Sequence, residues 1–185
     1  MTLHRVDLRS CPSQPWRNGG GQTRELLAWP DAQAWRVRVS VARIERDGLF
    51  SSFPGVRRCF AVLHGAGVEL DLPRGLRTLT ADDEPVAFDG EAAPACKLLH
   101  GPTEDLNLMA LREAGTPQLR RAAVGSALDG RLPWRAAFAT SPALLDIADR
   151  REPMTAGDLL WTDDPDADPW VLNQGQHVHW LWLDL

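Results

Sequence analysis

The chain has 185 residues, of which 44% are hydrophobic and 24% are charged, and its formal net charge at pH 7 is -5. This composition is typical of a folded protein with a substantial core, and the negative charge argues against nucleic acid as a partner because phosphate binding requires a positive surface. No apolar run approaches the roughly 20 residues of a membrane helix, and the N-terminus has no signal-peptide pattern. We therefore expect a cytoplasmic protein that binds neither nucleic acid nor membrane.

The first distinctive stretch is PWRNGGGQTRE, residues 15–25, which follows a weakly alternating segment at residues 3–8 that predicts an edge strand. Three consecutive glycines, Gly19–Gly21, are costly to order unless the backbone needs positive φ or a close approach. They predict a tight turn with at least one glycine at positive φ. A strand follows, on which Thr23 and Glu25 share one side.

The clearest period of two in the chain lies in AWRVRVSVARI, residues 34–44. Its valines share one face, whereas Arg36, Arg38 and Ser40 share the other. Alternation with β-branched residues on one face is typical of a strand. The segment therefore predicts a strand with one apolar face and one polar face.

Short strands separated by turns continue through the rest of the chain, and no segment has a long helical period. A hairpin is predicted at residues 58–72, and further strands follow. Beyond a linker at residues 113–118, the same pattern repeats. Regular turn spacing indicates an all-β barrel or sandwich, and two consecutive β units of similar size indicate a duplicated barrel.

Polar residues at alternating strand positions are the candidates for chemistry. If the leucine and valine faces pack away from them, these side chains line one cavity. The other interpretation is that they face water, as half of an antiparallel strand often does. The alternation alone favours the interpretation that they face water. The candidates are Asn18, Thr23, Glu25, Arg36, Ser40, Arg58, Asp105 and Asn107.

Metal-ligating and nucleophilic patterns are missing from the sequence. His177 and His179 are two residues apart on a predicted strand, but no suitably spaced carboxylate accompanies them. The three cysteines are scattered and form neither a zinc motif nor a disulfide framework, which suits a reducing cytosol. No nucleophile elbow surrounds a serine. We therefore expect no metal, no cofactor and no catalytic residue that a motif could identify.

Several motifs together resemble the HutD/Ves family. They are PWRNGGGQTRE, then WRVRVSVARIERDGLFSSFPGVRR, the glycine-flanked hairpin, and LLHGPTEDLNLM, in the family's order and spacing. The resemblance covers about residues 3–112, and the remaining third is similar only as a loosely related β half. It implies a bicupin, that is, two cupin-type β-barrels in one chain. The implied division is 1–115 for the barrel with the motifs and 116–185 for a second, degenerate unit.

The resemblance also implies a function and a set of pocket residues. The family is associated with histidine utilisation and is thought to bind a small pathway metabolite, such as urocanate or formylglutamate, and so to moderate the pathway. This chain departs from the family pattern at Arg57, where Asp is frequent, and at His100, where an acidic residue is usual. The pocket candidates carried over by motif are Asn18, Thr23, Glu25, Arg36, Ser40, Phe53, Arg58, Asp105 and Asn107.

The first hypothesis is a metal-free regulatory protein that binds a small anionic metabolite. Arg36 and Arg58 would converge in the first barrel and bind a carboxylate, because guanidinium groups pair with carboxylates bidentately. Asp105 would hold an arginine or accept a hydrogen bond from a ligand N–H. The side chains expected to orient the rest of the ligand are Asn18, Ser40 and Asn107.

Two alternatives remain open from the sequence. One is an enzyme, a hydrolase or isomerase, that uses Glu25 or Asp105 as a general acid or base in the same pocket. The other is a protein-interaction module, for which Trp180 and Trp182 on the last strand are the best candidates. Core packing or a homodimer contact explains these tryptophans more simply.

Overall fold

The structure is a computed structural model that describes residues 2–129 and 131–184, and it confirms an all-β fold. The described residues form nineteen strands and three short 3-10 helices, Leu8–Ser10, Gly90–Ala92 and Arg112–Ala114. None of the helices in this part of the chain is long and apolar enough to cross a lipid bilayer. The strands are β1 (His4–Asp7), β2 (Ser13–Pro15), β3 (Gly21–Trp29), β4 (Val37–Ile44), β5 (Gly48–Leu49), β6 (Val56–His64), β7 (Val68–Leu72), β8 (Gly75–Leu79), β9 (Val86–Asp89), β10 (Ala95–Leu98), β11 (Thr103–Leu111), β12 (Thr116–Ala122), β13 (Ala127–Leu128), β14 (Arg135–Ala139), β15 (Ala143–Ile147), β16 (Arg150–Met154), β17 (Asp158–Thr162), β18 (Trp170–Gly175) and β19 (Val178–Asp184).

One compact unit comprises Cys11–Pro117. It contains a six-stranded sheet in the order β2-β3-β4-β11-β6-β9 and a four-stranded sheet in the order β5-β10-β7-β8. Apolar side chains from both sheets pack into one core, because each strand directs alternate residues inward. The fully or nearly fully buried members of this core include Ile44, Phe60, Val68, Leu70 and Leu79.

The other unit comprises Met1–Ser10 and Gln118–Leu185. Its sheets have the orders β1-β17-β14-β19-β12 and β13-β18-β15-β16. Large apolar side chains fill its interior, where Leu145, Trp170 and Leu172 have no exposed surface and Trp180 is 4% exposed. This packing gives the unit an apolar interior, in contrast to the polar sheet face in Cys11–Pro117.

The N-terminal strand does not belong to the unit to which the division 1–115 assigned it. Strand β1 pairs with β17 in antiparallel register, with Arg5 opposite Leu160. Arg5 Nη1 also lies 2.6 Å from Asp158 Oδ2. Since the weak alternation of residues 3–8 identifies a strand without identifying its partner, this long-range pairing could not be read from the local sequence.

The glycine turn combines a positive φ with a close backbone approach. Gly19 has φ +67°, which confirms that one of the three glycines adopts this conformation. The Asn18 side-chain oxygen accepts a hydrogen bond from the Gly20 N–H at 3.0 Å. A Cβ on Gly21 would lie 2.3 Å from the Arg43 carbonyl oxygen. The turn therefore needs glycine at two positions for two different reasons.

The register of the six-stranded sheet gathers the alternating polar residues on one face. The opposite face is apolar and buried, with Val37, Val39, Leu106 and Leu108 at 0% exposure. The structure differs from the water-facing interpretation that the alternation alone favours, because several of these polar side chains line a cavity. Three rows of opposed residues cross the polar face: Thr23–Ala42–Asp105–Val62, Glu25–Ser40–Asn107–Phe60 and Arg38–Met109–Arg58–Phe88.

Candidate functional site

A cavity of about 400 Å³ lies over this polar face, within the unit Cys11–Pro117. Its size is in the range of small-molecule sites, which combine apolar walls with a few polar groups. Strands β3, β4, β6 and β11 supply the floor, and the segments before β3 and around β5 supply the walls. The lining residues are Gln14, Pro15, Trp16, Arg17, Asn18, Thr23, Arg38, Ser40, Ala42, Leu49, Phe50, Ser51, Phe53, Arg58, Asp105, Asn107 and Met109.

Arg58 is a buried cation at the base of the cavity, with only 5% of its surface exposed. Its Nη2 donates to Asn107 Oδ1 at 2.8 Å, and its Nη1 makes a long contact of 3.5 Å with the Ser51 carbonyl. Burial lowers the pKa of Arg58 to about 10, while the Asp105 charge opposes that shift and Arg38 adds to it. The guanidinium therefore stays charged at neutral pH.

Three phenylalanine rings surround this guanidinium. The Arg58 Cζ atom lies 5.2 Å from the ring centroid of Phe50, 5.6 Å from that of Phe53 and 5.2 Å from that of Phe88. Aromatic faces attract cations, but they do not neutralise a charge as a carboxylate does. Arg58 Nε is buried and has no hydrogen-bond partner among the described residues.

Asp105 lies on the same face and is 1% exposed. Its Oδ1 accepts a hydrogen bond from Asn107 Nδ2, so Asn107 connects Asp105 to Arg58. Burial raises the pKa of Asp105 to about 8, although Arg58 and the Asn107 hydrogen bond both act to lower it. The raised pKa favours the protonated carboxyl, which weakens Asp105 as a counter-charge for Arg58.

The remaining expected pocket residues that line the cavity are Ser40, Phe53, Thr23 and Asn18. Ser40 is buried, at 5% exposure, beside Asn107. Thr23 Oγ1 accepts a hydrogen bond from the Trp16 indole N–H at 2.7 Å. Because the Asn18 oxygen is bonded to the glycine turn, Asn18 shapes the wall as well as lining it.

Arg36 does not belong to this cavity, and the expectation that it converges with Arg58 is wrong. It is exposed, precedes β4, and places its Cζ 6.0 Å from the Trp29 ring centroid. It lines a separate groove with Trp35 and Glu113. Arg36 lies immediately before β4, which begins at Val37, and its backbone still forms hydrogen bonds with Trp29 and Leu111, but its side chain lines that groove instead of the cavity.

Sequence reasoning missed two arginines that line the cavity with Arg58: Arg17, which is exposed in the wall, and Arg38, which lies on the sheet. The sequence pattern did indicate Arg38 as a pocket candidate, because Arg38 lies on the same predicted face as Ser40 and is two residues closer to Ser40 than Arg36 is. Glu25, also expected in the pocket, does not line the cavity. It forms an ion pair with Arg38, with Glu25 Oε2 2.5 Å from Arg38 Nε. Phe50 and Phe88 had no local signal, since they reach Arg58 from distant segments.

The histidines and cysteines are arranged differently from a reactive site. His177 lies in a turn with φ +57° rather than on a strand, and burial lowers the pKa of His179 to about 4. Burial raises the pKa of the Cys96 thiol to about 12. Within residues 2–129 and 131–184, no group of three or more His, Cys, Asp or Glu side chains could hold a metal ion. The absence of a cofactor stays a prediction.

Two β units, each built from two antiparallel sheets and one with a polar cavity, define a duplicated cupin-type barrel. The Escherichia coli protein YlbA has this fold as well, with a TM-score of 0.73 and 7% identity, covering 100% of this chain and 91% of YlbA. At that identity the likeness shows the fold alone.

The chain belongs to the HutD family, whose sequence pattern matches residues 8–180. HutD from Pseudomonas fluorescens SBW25, solved in a formate condition, superposes with a TM-score of 0.84 at 26% identity over 98% of each chain. A conserved Pseudomonas aeruginosa PAO1 protein of unknown function superposes with a TM-score of 0.88 at 25% identity over 100% of each chain. The family is associated with histidine utilisation.

Curated relatives match over part of the chain. Protein Ves of Citrobacter koseri is 35% identical over 116 residues, covering 62% of this chain and 61% of Ves. An uncharacterized 21.2 kDa protein in the hutC 3' region of Pseudomonas putida is 38% identical over 111 residues, which cover 58% of this chain and 57% of that protein. The chain thus spans about three-fifths of the length of these relatives.

Proposed function

We propose that the protein binds a small anionic metabolite of histidine degradation, of the urocanate or formylglutamate type, and thereby moderates histidine utilisation. The observation that carries this proposal is Arg58. It is a buried charge that contacts an amide, a carbonyl and three aromatic rings, and none of the described residues forms an ion pair with it. A buried charge without a counter-charge is costly.

A ligand carboxylate would supply the missing partner. Charge-assisted hydrogen bonds contribute roughly 1.5–3 kcal/mol each, and burial beside three phenylalanines strengthens them because water is excluded. Because its raised pKa favours the protonated form, Asp105 adds a hydrogen-bonding group with less negative charge to repel the ligand. Family membership supports the choice of histidine-pathway metabolites.

Replacing Arg58 with methionine is expected to weaken binding of urocanate or formylglutamate at least about tenfold, or roughly 1.4 kcal/mol. Methionine keeps an apolar stem among the phenylalanines but removes the charge. Isothermal titration calorimetry measures the change. The matched control is Arg57→Met, since Arg57 is exposed on the other face of β6. Equal affinities for Arg58→Met and the parent protein would contradict the proposal.

Asp105 also favours a second candidate function, a hydrolase or isomerase that uses this carboxyl as a general acid or base. A buried carboxyl whose pKa is raised to about 8 can exchange a proton near neutral pH. Glu25 is not a candidate for this role, because it is paired with Arg38 outside the cavity lining. Turnover of pathway metabolites, followed by absorbance, separates the two: a binding protein leaves them unchanged.

A further inference from the structure

Arg38 has an unusual set of contacts for a cavity arginine. Its Nε lies 2.5 Å from Glu25 Oε2, with 24% of the Arg38 side chain and 31% of the Glu25 side chain exposed. Among the described residues, its two terminal nitrogens, Nη1 and Nη2, make no hydrogen bond and no ion pair. Arg38 lines the cavity, whereas Glu25 does not. The carboxylate thus makes a close charge contact with Arg38, although the buried Nε has no hydrogen-bond partner among the described residues, and the terminal nitrogens can still donate to a ligand.

Arg38 and Arg58 lie on the same face of the six-stranded sheet at one level. Both are directly opposite Met109 on β11, one from each side. Neighbouring strands are about 4.8 Å apart, so the two arginine backbones are separated by about 10 Å. The Arg38 charge also contributes to lowering the pKa of Arg58. Of the three arginines that line the cavity, Arg17 is exposed in the wall, whereas Arg38 and Arg58 lie on the sheet, where a single small ligand could contact both.

Glu25 has little to contribute to stability through this pair. Partly exposed ion pairs are typically worth about 0–1 kcal/mol, because water screens the charges and two flexible side chains must be ordered. The charge contact has a different consequence, since it draws the Nε side of the guanidinium toward Glu25 and leaves the Nη1–Nη2 edge, which pairs with a carboxylate bidentately. Ordering an arginine before the ligand arrives lowers the entropy cost of binding.

We propose that Glu25 is a positioning residue that orients Arg38, and that Arg38 binds a second anionic group of the ligand while Arg58 binds the first. This inference rests on the proposed function, because it assumes that anions enter the cavity. It assigns the site a preference for small ligands with two carboxylates over matched ligands with one. Arg38 sets that preference, and Glu25 acts through Arg38.

The test compares glutarate with valerate, a dicarboxylate and a monocarboxylate of the same chain length, by calorimetric titration. The parent protein is expected to bind glutarate at least about tenfold more tightly. Arg38→Gln should remove this advantage while changing valerate affinity less than about threefold. The control is Arg36→Gln, which alters an exposed arginine of the same strand region that lies outside the cavity. Arg58→Met should weaken both acids.

Glu25 is tested with two variants. Glu25→Ala and Glu25→Gln should both lose most of the glutarate advantage, because each removes the charge that attracts Arg38, while Glu25→Gln keeps the size of the side chain. A purely structural role would change both acids equally and leave their ratio intact.

The outcomes separate the two levels of the proposal. Equal binding of glutarate and valerate, with both weakened by Arg58→Met, overturns the second anion site and leaves the proposed function standing. Tighter glutarate binding by Glu25→Ala also overturns it, since Glu25 would then be a competitor for Arg38. Failure of both acids to bind, together with metabolite binding that Arg58→Met leaves unchanged, overturns the inference and the proposed function alike.

Discussion

Replacing Gly21 with alanine is expected to destabilise the protein by about 3 kcal/mol or more. The new Cβ would lie 2.3 Å from the Arg43 carbonyl oxygen and 3.3 Å from the Ile44 Cα. Both are backbone atoms of β4, so relief requires β3 and β4 to separate rather than a side chain to rotate. Overpacking of a well-packed site costs typically 1–3 kcal/mol, and more when the backbone must move. Urea denaturation, read as a shift of the midpoint at constant slope, measures the loss.

Two further glycine variants separate crowding from backbone conformation. Gly19 has φ +67° with open space around its Cα, so Gly19→Ala should cost only about 1–2 kcal/mol, the penalty of the left-handed region. Gly48 has open space and no positive φ, so Gly48→Ala should change stability by less than about 0.5 kcal/mol. A Gly21→Ala variant as stable as Gly48→Ala would show that β3 and β4 are not held as closely as the structure indicates.

The fold and the composition of the cavity floor could be predicted from the sequence because both depend on a period of two. In β4 and β11, alternation separates a valine and leucine face from a polar face, and burial of the apolar face fixes which side carries Ser40, Asp105 and Asn107. The duplication was visible as a repeat of short strands, and the family motifs identified the barrel type.

Alternation could not show where a strand ends or bulges. Arg36 and Arg38 have the same parity, but only Arg38 lies within β4, and the sequence contains no marker for a start at Val37. Similarly, the register of β3 shifts between Glu25 and Leu27, so strict alternation does not predict which side chains of β3 face the cavity there. The error over Arg36 therefore has a local cause, at the end of a strand.

Contacts between distant segments were beyond the reach of local patterns. Phe50 comes from the segment after β5 and Phe88 from β9, and both meet Arg58 only once the sheet has formed. The pairing of β1 with β17 is another case, since it joins residues at opposite ends of the chain. The burial of Arg58, which carries the proposed function, is a property of these long-range contacts.

Replacing Asp105 with asparagine is expected to stabilise the protein at pH 7 by up to about 4 kcal/mol. Burial raises the pKa of Asp105 from 3.8 to about 8 in the folded protein. Between these values the unfolded chain loses the proton and the folded protein keeps it, so the folded state binds more protons. Stability therefore falls as the pH rises from about 4 to about 8, by roughly 1.4 kcal/mol per pH unit.

Asparagine removes this dependence because its amide resembles the protonated carboxyl in shape and is neutral at every pH. Its oxygen can still accept the hydrogen bond from Asn107 Nδ2. Urea denaturation at pH 4 and pH 7 should show similar stabilities for the two proteins at pH 4 and a clear advantage for Asp105→Asn at pH 7. The control is Asp71→Asn, an exposed strand position of the same unit, which should track the parent protein at both pH values. The opposite result would be an equal change of unfolding free energy between pH 4 and pH 7 in the Asp105→Asn variant and the parent protein. It would show that Asp105 is ionised in the folded protein and that Arg58 already has its counter-charge.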